Sequence, residues 1–314
     1  MKKISVVIPF YNEEGNIIKL FTEVQDSLKK DFKGIDYEII MVSDGSTDKT
    51  WEEIKECKKK DKKVIWINLN RNYGQSIAMD AWFRAVTWDI VFSLDGDGQN
   101  NPNEFKKLYT KLEKENLDVV AGWREKRKDP VWMIVITRTA RFLRKVLIDD
   151  GVHDSGCTLR VYKRAAIDNL YLWGEMHRFI IALCKIKWFK IWEVKVKHRA
   201  RTIWTTKYNW KKSFKWLIDL MYIWFIGKFE ARPLHLFGFV WGFNFMLWIF
   251  MVFWAIYKRV FLWIDISNNG FFIMGIFLTQ IGLMLFIFGI IIDLLIRIKN
   301  NTNSSSRYLT REII

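Results

Sequence analysis

Cysteine, proline and histidine are all scarce in this chain, whose 314 residues hold 3 Cys, 4 Pro and 4 His. Cys57, Cys157 and Cys184 form no CxxC pair, which excludes a disulfide scaffold and a cysteine-rich zinc module and suits a reducing compartment. So few prolines, with only 17 Gly, exclude collagen-like and linker-dominated polymers. A composition 50% hydrophobic and 27% charged excludes a disordered chain. No GxGxxG follows the first apolar run and no GxxxxGK[ST] occurs anywhere, so dinucleotide oxidoreductases and P-loop NTPases drop out. The N-terminus, MKKISVVIPFYNEE, meets Asn and Glu soon after a short apolar run and offers no small-residue cleavage site, so it does not read as a signal peptide.

What the chain holds in excess is positive charge and tryptophan, with a net charge of +16 and 17 Trp. Neither is spread evenly. Residues 1–120 carry a net −2, residues 121–233 a net +15, residues 234–296 zero and residues 297–314 +3. Nine of the Trp also fall in 121–233. Nucleic acid and a membrane surface both attract such a segment, and its neighbours decide for the membrane. Leu234–Tyr257 is a run of 24 residues whose only ionisable member is His235, and Phe271–Ile292 is a run of 22 with none. At about 1.5 Å per residue each reaches roughly 33–36 Å, enough for a hydrocarbon core of about 30 Å. The expectation is a transmembrane hairpin over about 234–257 and 271–296, with no nucleic-acid partner. Lys258 and Arg259 sit in its loop, against Lys228 and Arg232 before it and Arg297 and Lys299 after it. The positive-inside rule then puts the N-terminal part and the tail in the cytosol. The tail, residues 298–314, is short and polar.

Two stretches of the basic segment read as interfacial helices. In Trp210–Phe229 the apolar Trp210, Phe214, Leu217, Met221, Trp224 and Phe225 recur at helical spacing, opposite Lys211, Lys212, Lys215 and Asp219. In Val131–Ile148, Arg138, Arg141, Arg144 and Lys145 stand beside Val135, Phe142, Val146 and Leu147. A core-facing helix with a solvated basic face is the plainer reading of each.

The first 120 residues alternate strand and helix patterns. Ile4–Pro9, Glu38–Ser43, Val64–Leu69, Ile90–Leu94 and Asp118–Ala121 read as short buried strands, with helical stretches over 14–30, 49–60, 76–86 and 103–115 between them. Such a βαβ series predicts a largely parallel, Rossmann-like α/β sheet with its ligand site beyond the carboxyl ends of the strands. The polar groups do follow the strands: Tyr11-Asn12-Glu13, Asp44-Gly45-Ser46-Thr47-Asp48, Arg71-Asn72-Tyr73-Gly74 and Asp95-Gly96-Asp97-Gly98-Gln99. Asp95-x-Asp97 fails as an EF-hand, which wants Gly and Glu where this chain has Asn100 and Lys106. Two carboxylates one residue apart at a strand end suit Mg²⁺ or Mn²⁺ instead, leaving positions for substrate phosphates.

Together the stretches VVIPFYNEEGNI, VSDGSTD, LNRNYGQSIAM, SLDGDGQNNP, VAGWR, DSGCTLRVYKR, EMHRF and KHRAR followed by TTKY resemble the family 2 inverting glycosyltransferases of GT-A fold. The match is nearest to the polyprenyl-phosphate sugar synthases, the group of dolichol-phosphate mannose synthase and the bacterial undecaprenyl-phosphate glucosyltransferases. It covers about residues 4–208, and the two-span tail suits the bacterial branch. The resemblance implies a GT-A domain over residues 1–165, an acceptor-side and juxtamembrane segment over 166–233 and the hairpin over 234–297. It implies a nucleotide-sugar donor, of UDP-glucose or GDP-mannose type, held by Pro9, Tyr11, Glu13, Asp44, Asp95, Arg199 and Lys207. It places the metal on Asp95, Asp97 and Gln99, with Asp97, Arg124 and Arg138 as the catalytic set and the two arginines on the acceptor phosphate. Arg141 competes with Arg138 for that place. Ser43 stands where many of the family have a second Asp; the retained Asp44 is the one assigned to the base. His177 reads as a packing histidine, as does His198, and Gly74 as a helix start.

The resemblance further implies an integral protein of the bacterial cytoplasmic membrane that moves a hexose to undecaprenyl or dolichyl phosphate on the cytosolic face. A phosphate acceptor is largely a dianion at neutral pH and needs no protein base, but it needs arginines to hold it against the anionic donor. Two alternatives stay open: a transferase of the same fold acting on a sugar or lipid hydroxyl, and a non-enzymatic basic membrane anchor or nucleic-acid binder. A homo-oligomer is also open, since a lone two-span hairpin has little to pack against.

Overall fold

The computed structural model describes residues 3–124, 141–168, 170–172, 174–197, 199, 210–229, 232–263 and 270–302. Strands β1 (Ile4–Phe10), β2 (Tyr37–Ser43), β3 (Val64–Asn68), β4 (Ile90–Ser93), β5 (Val119–Trp123), β6 (Arg160–Lys163) and β7 (Ile191–Lys195) form one sheet in the order β3-β2-β1-β4-β6-β5-β7. Helices α1 (Ile17–Asp31), α2 (Thr50–Lys60), α3 (Gln75–Ala85) and α4 (Phe105–Lys114) join the first five strands, and α5 (Ile180–Ile186) precedes β7. Pairing among β1 to β4 is parallel, and only β6 runs against its neighbours β4 and β5.

The strands at the centre are apolar on both faces because helices cover both. Side chains alternate, so Val6, Ile8 and Phe10 of β1 and Ile39 and Met41 of β2 join α1, α2 and α4 in one core layer. Val7 of β1 and Ile40 and Val42 of β2 join α3 and α5 in the other. Within α1, Ile17, Leu20, Phe21, Val24 and Leu28 are buried at steps of three and four, the stripe a one-sided helix requires. Truncating such a fully buried residue, Leu28→Ala for example, costs about 2–5 kcal/mol.

The βαβ series runs as the sequence predicts, but two strands escaped it. Strand β6 (RVYK) has cationic ends and β7 (IWEVK) carries Glu193 mid-strand, so neither shows an apolar run. The sheet therefore continues to Lys195, past the boundary expected at 165. The register of β6 on β4 sets Arg160 opposite Ser93, at the carboxyl end of β4.

The two amphipathic stretches present different faces from those expected. Residues 141–147 are helical, and Leu143 and Leu147 pack on the core while Phe142 and Val146 are exposed. Arg144, expected on the basic face, is buried: its Nε lies 3.4 Å from Asp150 and its Nη2 donates to the Val152 carbonyl at 2.7 Å. The pair explains the difference, because a guanidinium with a buried carboxylate partner can enter the core. In α6 (Trp210–Phe229), Leu220 and Ile223 are buried and Trp216 packs beside them, whereas Met221 is exposed. The stripe that turns inward is a different one from the apolar stripe expected at the membrane surface.

The chain divides into two compact units, Met1–Trp224 and Phe225–Ile314. The second unit holds α7 (Pro233–Leu262) and α8 (Gly270–Thr302), each long and apolar enough to cross a membrane. They form an antiparallel pair. Gly275, Gly282 and Gly289 recur every seven residues on α8 and receive Trp248, Trp241 and Phe237 of α7, so small residues let the two helices approach closely.

Candidate active site

The carboxyl ends of β1 to β4 open onto a cleft of ≈ 280 Å³ lined by Pro9, Tyr11, Glu13, Asp44, Asn72, Gly74, Gln75, Asp95 and Asp97, among others. Six predicted residues (Pro9, Tyr11, Glu13, Asp44, Asp95 and Asp97) thus meet in one place. The loops that carry them are knitted together. Asn12 Oδ1 accepts from Thr47 N at 2.9 Å, the Glu13 amide donates to Thr50 Oγ1 at 2.9 Å, and the Glu14 amide to Asp48 Oδ2 at 3.1 Å. Ser46 to Thr50 therefore serve the loop, which leaves Asp44 for the cleft.

Asp44 is buried, and its two oxygens accept the amides of Tyr73 and Gly74 at 2.8 and 2.9 Å. It fixes the loop after β3 as well as lining the cleft. Gly45 makes that contact close: at φ +62, an added Cβ would lie 2.1 Å from the Arg71 carbonyl carbon.

Asp95 and Asp97 stand at the end of β4. Burial, and then the neighbouring Asp97 carboxylate, push Asp95 up to about 6. Gln75, the first residue of α3, donates to Asp95 Oδ1 at 2.9 Å, and the Gln99 amide donates to Asp97 Oδ1 at 3.0 Å. Two carboxylates crowded enough to raise a proton affinity make a donor set suited to a hard divalent cation. Among the described residues no cluster of three or more His, Cys, Asp or Glu forms a fuller cage. The chain offers a partial shell, with further positions for phosphate oxygens and water.

Arg199 lies beside Asp97 in an adjoining cleft of ≈ 80 Å³. Its amide donates to the Gln99 carbonyl at 3.0 Å, and its Nη1 donates to both Glu23 oxygens at 2.7 and 3.0 Å. Arg124 follows β5. It grips Asp154 twice, Nε to Oδ2 at 2.7 Å and Nη2 to Oδ1 at 2.9 Å. Burial disfavours its charge, but the Asp154 hydrogen bonds more than offset that and hold Arg124 above its ordinary value. Arg138 and Lys207 lie outside the described residues.

Sequence reasoning missed four participants: Gln75, Glu23, Asp154 and Arg160. Gln75, Asp154 and Arg160 stand inside quoted motifs, but only the crossing of strand ends shows what they touch. Arg160 is buried on β6 and donates from Nε to the Cys157 carbonyl and from Nη2 to the Ser155 carbonyl, both at 2.7 Å. Among the described residues it has no carboxylate partner. It thereby pins the loop that presents Asp154 to Arg124. His177 is a bonded packing histidine: its amide donates to Ser76 Oγ at 3.0 Å and its Nδ1 lies 2.9 Å from the same oxygen. Burial first, and then Arg178 and Arg160, push it down to about 4, so it is neutral at physiological pH.

Strand-end carboxylates in a parallel sheet, with arginines on the strands beyond, match a known family model: "Glycosyl transferase family 2" covers residues 5–171. The chain belongs to that family. The transferase is 31% identical over 320 residues to the undecaprenyl-phosphate 4-deoxy-4-formamido-L-arabinose transferase of Salmonella paratyphi B, covering 100% of this chain and 94% of the relative. It is 29% identical over 320 residues to the dodecaprenyl-phosphate galacturonate synthase of Rhizobium johnstonii, covering 99% and 93%. Among solved structures it resembles glucosyl-3-phosphoglycerate synthase from Mycobacterium tuberculosis, a complex with Mn²⁺, uridine diphosphate and glucosyl-3-phosphoglycerate. That likeness has a TM-score of 0.55 and 20% identity, and covers 72% of this chain and 80% of the other. It shows the GT-A fold of the transferase.

Proposed function

We propose that the transferase moves one sugar from a nucleotide-sugar to a polyprenyl phosphate at the cytosolic face of a membrane. The observation that carries this is likeness along the whole chain, both apolar helices included, to relatives named for undecaprenyl and dodecaprenyl phosphate. The sequence suggested a glucose or mannose donor, whereas those relatives are named for galacturonate and a formamido-arabinose. Uronic and amino sugars therefore join the donor panel.

The residues divide the work. Pro9, Tyr11, Glu13 and Asp44 line the space for the nucleoside, and Asp95 and Asp97 would hold Mg²⁺ or Mn²⁺. When bound, the ion neutralises charge on the leaving diphosphate. The acceptor phosphate, with a second pKa near 6, is already nucleophilic at neutral pH. One of its oxygens forms the new bond to the anomeric carbon as the bond to the donor diphosphate breaks on the opposite face, so the configuration inverts and a nucleoside diphosphate departs. Arg124 commits its Nε and one Nη2 hydrogen to Asp154, which leaves three of its five donors for an oxyanion. Arg138 is the second acceptor-side candidate, and Arg199 and Lys207 belong with the donor.

Membranes containing the protein, undecaprenyl phosphate and Mg²⁺ or Mn²⁺ are to be incubated with radiolabelled UDP-glucose, UDP-galacturonate, UDP-4-deoxy-4-formamido-L-arabinose and GDP-mannose in turn. Label entering the lipid phase from one of them supports the proposal and names the sugar. If all of them leave the lipid unlabelled while the nucleotide binds, the acceptor assignment is wrong.

A further inference from the structure

The grip of Arg124 on Asp154 is only as fixed as the loop that carries Asp154. Arg160 holds that loop from its carboxyl-terminal side, at the Ser155 and Cys157 carbonyls. The other side is held by Glu193 of β7, 40 residues beyond His153. The His153 amide donates to Glu193 Oε2 at 2.7 Å, and the His153 ring nitrogen Nδ1 meets Glu193 Oε1. A carboxylate only accepts, so Nδ1 carries the hydrogen. Both oxygens of one side chain are thus spent on the residue next to Asp154.

Nothing in the strand itself asks for a glutamate there. Glu193 sits mid-strand, in register with Ala121 of β5, and its side chain is 11% exposed. Glutamate is depleted in strands, and taking a carboxylate out of water is costly unless it is bonded. A second contact runs beside the first. The Trp123 ring stacks on the His153 ring, with centroids 4.6 Å apart and planes 15° from parallel. Consecutive residues Trp123 and Arg124 therefore grip consecutive residues His153 and Asp154. The fit is close, since a Cβ added to Gly156 would lie 3.1 Å from Arg124 Nη2. We propose that Glu193 is a positioning residue for the transfer: through His153 it fixes Asp154, and through Asp154 it aims the guanidinium donors of Arg124 at the acceptor phosphate. A guanidinium is a rigid planar fork, so a loop shifted by about 1 Å turns its donors away together and costs about 100-fold in rate. The inference rests on the acceptor role proposed for Arg124.

The test measures transfer by the full-length protein in phosphatidylethanolamine–phosphatidylglycerol vesicles, with undecaprenyl phosphate and the labelled nucleotide-sugar each titrated against saturating amounts of the other. Glu193→Ala is expected to lower kcat/KM for the polyprenyl phosphate about 10- to 100-fold and to leave KM for the nucleotide-sugar unchanged. Glu193→Gln keeps the volume and an oxygen for His153, so it should recover part of the loss at the wild-type unfolding midpoint. In the Arg124→Lys background Glu193→Ala should add little, because the fork it positions is already gone. A role in stability alone would lower the unfolding midpoint of both variants and weaken donor and acceptor alike, and that result overturns the proposal. Unchanged acceptor kinetics in both variants, or losses that simply multiply in the double variant, overturn it as well. A wild type that labels no lipid with any donor overturns the acceptor reading itself and the positioning role with it, so that failure is told apart from one confined to the variants.

Discussion

Strands β1, β2 and β4 deliver carboxylates to the cleft, while β5 and β6 carry Arg124 and Arg160 at the same edge of the sheet, and the two halves hold their charges differently. Asp95 and Asp97 stand together at the strand end, and burial first, then the Asp97 charge, pushes Asp95 up to about 6. The arginines are each tied down: Arg124 by Asp154, Arg144 by Asp150 and Arg160 by two backbone carbonyls. A carboxylate pair left in tension accepts a cation, whereas an arginine pre-oriented by a partner loses little freedom when an anion arrives. On the proposed function, the carboxylate side is completed by what binds, whereas the arginine side is built in advance.

Four substitutions test this division. Asp97→Ala removes one of the carboxylates proposed to hold the cation and is expected to lower kcat by about 1000-fold or more. Transfer to lipid in the labelling assay reads this, with carbonate-resistant membrane insertion retained. Arg160→Met removes the donors to the Ser155 and Cys157 carbonyls, the second of them buried, and should destabilise the domain by about 3 kcal/mol, read as a lowered unfolding midpoint. If the midpoint holds, Arg160 does not pin the 154–157 loop.

Arg124→Lys keeps the charge but loses the two-pronged grip on Asp154, so activity is expected to fall roughly 100-fold with a smaller change in stability. Equal rates would mean that charge alone is used there. The smallest effect concerns His177, whose folded value of about 4 lies below the ordinary 6.5. Between those values the unfolded chain binds the extra proton, so stability falls as pH falls through that window and is fully present above it. From pH 8 to pH 5 the loss from this group is about 2 kcal/mol. His177→Gln should flatten that part of the melting profile relative to wild type, and an unchanged profile would show that His177 is solvated.

Much of this was legible in the sequence because parallel strands are short apolar runs with polar punctuation. Pro9 lies at the end of a strand and Tyr11, Glu13, Asp44, Asp95 and Asp97 each follow one, and strand ends in such a sheet converge. Arg124 was named from the family resemblance, in the VAGWR stretch, but its partner was not, since Asp154 is 30 residues away and reached through an antiparallel strand. Strand β6 hid because Arg160 reads as a surface charge until the chain folds over it. Helical spacing predicted helices at both basic stretches but not their faces: a stripe of mixed Trp, Leu and Arg fits more than one rotation, and the Arg144–Asp150 pair chose one.

By itself the sequence determined the order of strands and helices, the strand-end carboxylates and the two apolar spans, because each is a local pattern of burial or of length. The tertiary structure decided which charges meet, since pairing Arg124 with Asp154 or Gln75 with Asp95 depends on sheet order and register. It also decided which helix faces turn inward. Those outcomes follow from packing and hydrogen-bond satisfaction between segments far apart in the chain, where local periodicity carries no information.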